Sequence, residues 1–153
     1  MKEKTCSFFG HRRIYETVEL RKKITETVRK LIIEEKVDRF LFGSKSLFDA
    51  LCLEAVTELK ETYPHIKRVY VRVEFPYIKE EYTAYLMKYY DETYFPEKII
   101  SAGKAVYVER NYEMIDNSRF CIVYYDEQNP PHKSGTKIAM DYAVERGRRI
   151  ILL

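Results

Sequence analysis

The chain has 153 residues, 46% of them apolar and 33% charged, a balance that belongs to a water-soluble globular domain long enough to bury a core without disulfide or metal staples. Its net charge of +3, from 27 basic and 24 acidic side chains, is too slight to imply nucleic-acid binding. It suits a weakly positive face for a phosphorylated small molecule, and equally no binding role. No apolar run approaches the roughly 20 residues that span a bilayer.

Taken in chain order, Met1-Lys2-Glu3-Lys4 leads directly into the apolar run TCSFFG, with no signal-peptide core, so a cytoplasmic location is expected. That run ends at Gly10 and reads as a buried strand. In YETVELRKKITETVRKLIIEEK, Leu20, Ile24, Val28, Leu31 and Ile32 form one stripe of an amphipathic helix. DRFLFG is a second buried strand ending at Gly43. A helix capped by Ser46 follows, with Phe48, Leu51, Cys52, Ala55, Val56 and Leu59 inward.

The third strand, IKRVYVRV, alternates Val69, Val71 and Val73 with Arg68, Tyr70 and Arg72, the pattern of a sheet edge with one wet face. EEYTAYLMKYYDETYF places Tyr82, Tyr85, Leu86 and Tyr89 at helical spacing, and EKII reads as a short fourth strand. YVERNYEMIDNS is a helix with Val108, Tyr112 and Ile115 on one face, and RFCIVYY a central buried strand. The last helix starts near Gly135, turns Ile138, Ala139, Tyr142 and Ala143 inward and stops at Gly147, before RRIILL closes the sheet. Strands alternating with helices, with no repeat or linker, mean one doubly wound, mostly parallel α/β domain over residues 1–153. The right-handed crossover rule then favours the order 3-2-1-4-5 with the last strand outside.

Cys6, Cys52 and Cys121 sit in apolar runs without metal-ligand spacing and read as reduced, buried thiols, so no metal site is expected. The 14 tyrosines, with no tryptophan, either flank the core with wet hydroxyls or present an aromatic surface. Tyr82, Tyr85, Tyr89 and Tyr90 are the candidate self-association face of a homo-oligomer.

Three of the five glycines fall where strands hand over to helices: Gly10, Gly43 and Gly135. In an open α/β sheet, ligands bind beyond the carboxyl ends of the strands, where strand order reverses. The loops Gly10-His11-Arg12-Arg13, Gly43-Ser44-Lys45-Ser46 and Ser134-Gly135-Thr136 then converge on one pocket, whose helix N-termini and basic side chains favour an anion. Taken singly, the SGT turn is also an ordinary helix cap, His11-Arg12-Arg13 a solvated turn, and Asp49 a complement to its helix dipole. Neither a G-x-G-x-x-G nor a G-x-x-x-x-G-K-[ST] motif occurs, which disfavours a dinucleotide fingerprint and a Walker-type NTPase.

The stretches CSFFGHRRI, FLFGSKSLFDALCLEAVTELK, YVERNYEMIDNSRFCIVYY and SGTKIAMDYAVERGRRIILL, in that order, resemble the SLOG superfamily of Rossmann-like domains. The likeness is greatest to the small YspA/YpsA-like branch; Lonely Guy phosphoribohydrolases and DprA are more distant relatives. The resemblance implies a Rossmann-like three-layer fold and a pocket for a nucleotide or nucleotide-derived ligand, with no other cofactor. Gly10, His11 and Arg12 match the first-strand turn; Gly43, Ser44 and Asp49 match the second turn and its following acid. Arg110 and Asn111 match the RN ahead of the Met-Ile-Asp helix, and Ser134, Gly135 and Thr136 the phosphate-binding turn. Two departures stand out. The second turn is poor in glycine, and Ala139 occupies the place of the Lonely Guy catalytic glutamate, three residues after the Thr.

Two functional readings follow. In the first, the protein senses or sequesters a nucleotide-derived metabolite: the amides of Ser134 to Thr136 hold phosphate, Arg12 and Lys45 neutralise it, and Asp49 accepts from a ribose. In the second, it hydrolyses an N-glycosidic bond with Asp49 as carboxylate and Asp126 or His11 as acid. Ala139 favours the first. Neither involves a membrane or direct nucleic-acid binding.

Overall fold

The computed structural model describes residues 1–73, 79–97, 99–101, 103–126 and 134–153. After a 3₁₀ turn at Lys2–Lys4, the elements run β1 (Thr5–Gly10), α1 (Val18–Glu34), β2 (Arg39–Phe42), α2 (Leu47–Thr62), β3 (Lys67–Val71) and α3 (Glu80–Leu86). Then come β4 (Glu92–Tyr94), α4 (Ala105–Asp116), β5 (Phe120–Tyr124), α5 (Gly135–Glu145) and β6 (Arg149–Leu152). All six strands form one parallel sheet in the order β4-β3-β2-β1-β5-β6. Strand order reverses between β1 and β5, which pair from Cys6↔Phe120 to Gly10↔Tyr124.

The period-2 alternation of the central strands builds the layers. Phe8, Phe40, Phe42, Phe120 and Ile122 face the stripe of α1 and the apolar side of α2. Phe9, Leu41, Cys121 and Val123 face Met114 and Ile115 of α4 and Ala139 and Ala143 of α5. The phenylalanines of the first layer interlock, with the Phe8 and Phe42 ring centroids 4.9 Å apart. Each such fully buried ring contributes about 1.5–3 kcal/mol of transfer free energy. A buried polar contact anchors the other layer: the Ser7 hydroxyl of β1 meets that of Ser118 at 2.5 Å and the Met114 carbonyl at 3.2 Å. This ties the end of α4 to the sheet.

Several expectations are corrected, among them the inward placement of Ile138, which is 45% exposed. The third strand is not an edge: β4 lies outside it, so no strand separates β1 from β5. Tyr70 is 4% exposed, its ring 5.1 Å from that of Tyr90, and Arg68 donates to both carboxylate oxygens of Asp91. The polar-looking face of β3 is therefore filled by aromatic packing and an ion pair rather than by water. Burial pushes the Asp91 carboxyl up, but the bonds and charge of Arg68 outweigh it and hold it below the ordinary carboxylate value.

The fourth strand comes from Glu92–Tyr94, inside the stretch read as helix; α3 ends at Leu86 and a turn follows. The described part of EKII is outside the sheet, and Ile100 is 89% exposed; Lys98 lies outside the described residues. On α4, Ile115 is buried as expected, but its companions on the inner face are Arg110 and Met114, while Val108 and Tyr112 are only half-buried. Of the four candidate association tyrosines, Tyr82, Tyr85 and Tyr89 touch one another ring to ring, whereas Tyr90 packs inward on Phe42 and Tyr70. Among the described residues no helix is long and apolar enough to cross a membrane.

Candidate functional site

A pocket of about 1230 Å³ opens at the carboxyl ends of β1 and β5, where the strand order reverses. The volume exceeds the roughly 300–1,000 Å³ of typical small-molecule sites. The first turn forms one wall. Gly10 lies so close to the Phe48 side chain that a Cβ placed on it would come 2.6 Å from the Phe48 Cβ. That close approach seats α2 against β1. His11 is 9% exposed, and its Nε2 accepts the Asp126 N–H at 2.9 Å. The imidazole thereby carries its proton on Nδ1 and fixes the chain leaving β5. Arg12 and Arg13 are exposed at the rim, and the Arg12 carbonyl accepts the Leu47 N–H at 2.9 Å.

The second turn directs several of its donors onto its own acceptors. Ser46 caps α2 by accepting the Asp49 N–H at 3.0 Å, and the Ser44 hydroxyl donates to Ser46 Oγ at 2.9 Å. Asp49 Oδ2 accepts the N–H of Gly43 at 3.3 Å and of Ser44 at 3.1 Å. The Gly43 and Ser44 amides thus bond to Asp49 and are not offered to a ligand, while Lys45 lines the cavity. A Cβ on Gly43 would lie 2.7 Å from Arg110 Nε and 2.8 Å from Met114 Sδ, so only glycine lets α4 approach.

The amide cradle is at α5. Ser134 Oγ accepts the Lys137 N–H at 3.1 Å, which leaves the N–H groups of Gly135 and Thr136 without a partner among the described residues. A Cβ on Gly135 would meet nothing within 4 Å, so the space before this helix end is open.

From α4 come Tyr107, Arg110 and Asn111. Arg110 is 5% exposed, donates to the Gly43 carbonyl and, through Nε, to Asn111 Oδ1 at 3.3 Å, and lies 5.5 Å over the Tyr107 ring. Arg110 and Asn111 are in the body of α4, within the same helix as Met114-Ile115-Asp116 rather than ahead of it.

The structure thus brings together Gly10, His11, Arg12, Gly43, Ser44 and Lys45 with Arg110, Asn111, Asp126, Ser134, Gly135 and Thr136 around one cavity. Asp49 is the exception. It is 3% exposed and lies behind the second turn rather than in the wall. Burial pushes its carboxyl up to about 7, opposed by the Arg110 charge and by the bonds it accepts. Asp126 is the only carboxylate among the described residues lining the cavity. Ala139 is 1% exposed in the sheet–helix core and not in the cavity wall. Sequence reasoning passed over Tyr107 and Tyr15, which complete the rim; Tyr107, one helical turn before Arg110, was the available signal.

The fold resembles that of part of DNA processing protein A. The structure from Streptococcus pneumoniae matches with a TM-score of 0.66 at 17% identity over 97% of this chain and 49% of the other. The protein from Helicobacter pylori, whose structure was described for its single-stranded DNA binding mode, matches with a TM-score of 0.63 at 15% identity over 99% and 65%. The chain therefore spans less than two thirds of either protein, and at these identities the likeness is one of fold. No curated protein matches. Residues 6–153 match the YpsA model of the YspA SLOG family, and the chain belongs to that family.

Proposed function

We propose that this protein binds a nucleotide or nucleotide-derived anion at the carboxyl edge of its sheet and does so without hydrolysing it. The observation that supports this reading is the meeting, in one cavity, of the open Gly135 and Thr136 amides with Arg12, Arg13, Lys45 and Arg110. Oriented N–H groups at a helix N-terminus and nearby cations are the combination that favours phosphate. A hydrolytic role finds less support: Asp49 does not reach the cavity, leaving Asp126 as the sole lining carboxylate among the described residues.

A second reading, single-stranded nucleic acid across the mouth, is favoured by exposed Arg12 and Arg13 beside Tyr15, which is 91% exposed. Cations interleaved with stacking rings are how single strands are held.

Thermal shift with a panel of mononucleotides is expected to raise the Tm of the wild type. Gly135→Asp, which puts a like charge at the cradle where a side chain has open space, is expected to abolish that shift while folding normally. Arg12→Ala is expected to weaken binding roughly tenfold. No shift with any nucleotide would remove the first reading. Tight, steeply salt-dependent binding of an oligonucleotide with no competition by mononucleotides would favour the second.

A further inference from the structure

Asp49 was assigned to the ligand from its place after the second turn, yet its surroundings give it a different task. Its Oδ2 holds the N–H groups of Gly43 and Ser44, and its Oδ1 is fully buried with no hydrogen-bond partner. Arg110 grips the carbonyl of the same Gly43 from α4. One glycine is therefore clamped by a carboxylate on its donor side and a guanidinium on its acceptor side. Of the two charges, only Arg110 lines the cavity.

Among the described residues, three ionisable groups interact with the Asp49 charge. Arg110 from α4 favours its ionised form, whereas Cys52, one turn further along α2, and Tyr90, between α3 and β4, have their own ionisation opposed by its charge. An anion in the cavity and Asp49 behind the turn thus share one cation, Arg110.

We propose that Asp49 is a positioning residue that governs anion affinity from behind the second turn. When ionised, it keeps the Gly43 and Ser44 donors turned away from the cavity and offsets the charge of Arg110; when neutral, it leaves that charge to the ligand. The proposal rests on the anion-binding reading of the cavity. The carboxyl is neutral below about pH 7 and ionised above it, so anion affinity rises as the pH falls through that value. Reciprocally, a bound anion favours the protonated form of Asp49.

The test uses sulfate, whose charge is constant over the interval, with titration calorimetry at fixed ionic strength at pH 6 and pH 8.5. The wild type is expected to bind sulfate roughly tenfold more tightly at pH 6, the scale of one charge acting across about 10 Å at protein-like dielectric. Asp49→Asn keeps an acceptor for the turn and removes the charge, and is expected to bind equally tightly at both pH values. An undiminished pH dependence in the Asn variant overturns the proposal but leaves the anion-binding reading standing. Absence of sulfate binding in both proteins overturns both. A measurement on the wild type alone guards against a variant that does not fold: carbon-13 NMR of the Asp49 carboxyl, with and without saturating sulfate. Its midpoint is expected to rise by about one pH unit, the linkage equivalent of a tenfold affinity change. A midpoint that sulfate does not move overturns the proposal.

Discussion

Gly10→Ala is expected to cost about 3 kcal/mol of stability, the upper part of the usual range for overpacking a filled core. The added methyl group would lie 2.6 Å from the Phe48 Cβ, and Phe48 is fully buried between the sheet and α2 with nowhere to withdraw. Relief requires α2 to move away from β1, which disturbs Phe8, Phe42 and Tyr124 around it. In a chain of this length that loss lowers the Tm by roughly 6–12 °C. Gly135→Ala is the control. There the methyl group meets nothing within 4 Å and alanine suits the first turn of a helix, so stability is expected to be unchanged. Urea denaturation of the two variants beside the wild type checks both statements. Equal stability of Gly10→Ala and wild type would mean that α2 is not seated on β1 as described.

The second large effect is the pH dependence of stability contributed by Asp49. Its folded-state pKa of about 7 lies above the ordinary value of 3.8, so the folded protein holds this proton more tightly than the unfolded chain. The contribution to stability is fully present below about pH 4 and is lost as the pH rises toward 7. Three pH units of displacement correspond to about 4 kcal/mol. Asp91 acts in the opposite sense: its lowered pKa stabilises the fold above the ordinary carboxylate range, and that contribution disappears on acidification.

Asp91 and the other carboxylates are present in both wild type and Asp49→Asn, so the difference between the two proteins isolates residue 49. That difference is expected to move in favour of the variant by about 4 kcal/mol between pH 4 and pH 8. Urea melts at both pH values measure it. A difference independent of pH would show that Asp49 stays ionised throughout and that Arg110 fully compensates its burial.

Much of the architecture was legible because the patterns that carry it are local. The α1 stripe Leu20-Ile24-Val28-Leu31-Ile32 is buried as its spacing required. Ser46 and Ser134 cap α2 and α5, as short polar residues before an apolar run do. The parallel neighbours β1, β2 and β3 followed from chain connectivity and the crossover rule, whereas the direct pairing of β1 with β5 did not.

The errors have a shared origin in β3 and β4. Alternation in Arg68-Val69-Tyr70-Val71 states that the two faces differ, not what covers the polar one. The cover is Tyr90 and Asp91, twenty or more residues along the chain from Tyr70 and Arg68, and it is pairing with β4 that makes β3 an interior strand. In the same way Tyr82, Tyr85 and Tyr89 hold helical spacing beyond the point where α3 ends. Spacing counts positions and does not sense that Thr93 is needed for pairing with Tyr70.

The site shows the same division. The amino-acid sequence by itself determined the three turns, their glycines, the capped helices behind them and the basic residues at their rim, because each is a short-range relation between neighbours. Only the tertiary structure decided what those residues do. It brings Arg110 to the carbonyl of Gly43 and His11 to the amide of Asp126. It turns the Gly43 and Ser44 donors back onto Asp49 and leaves the Gly135 and Thr136 amides open at α5. A buried polar group must find its partner wherever packing delivers one. For these pairs the partner lies 67 and 115 residues away, beyond the reach of any local pattern.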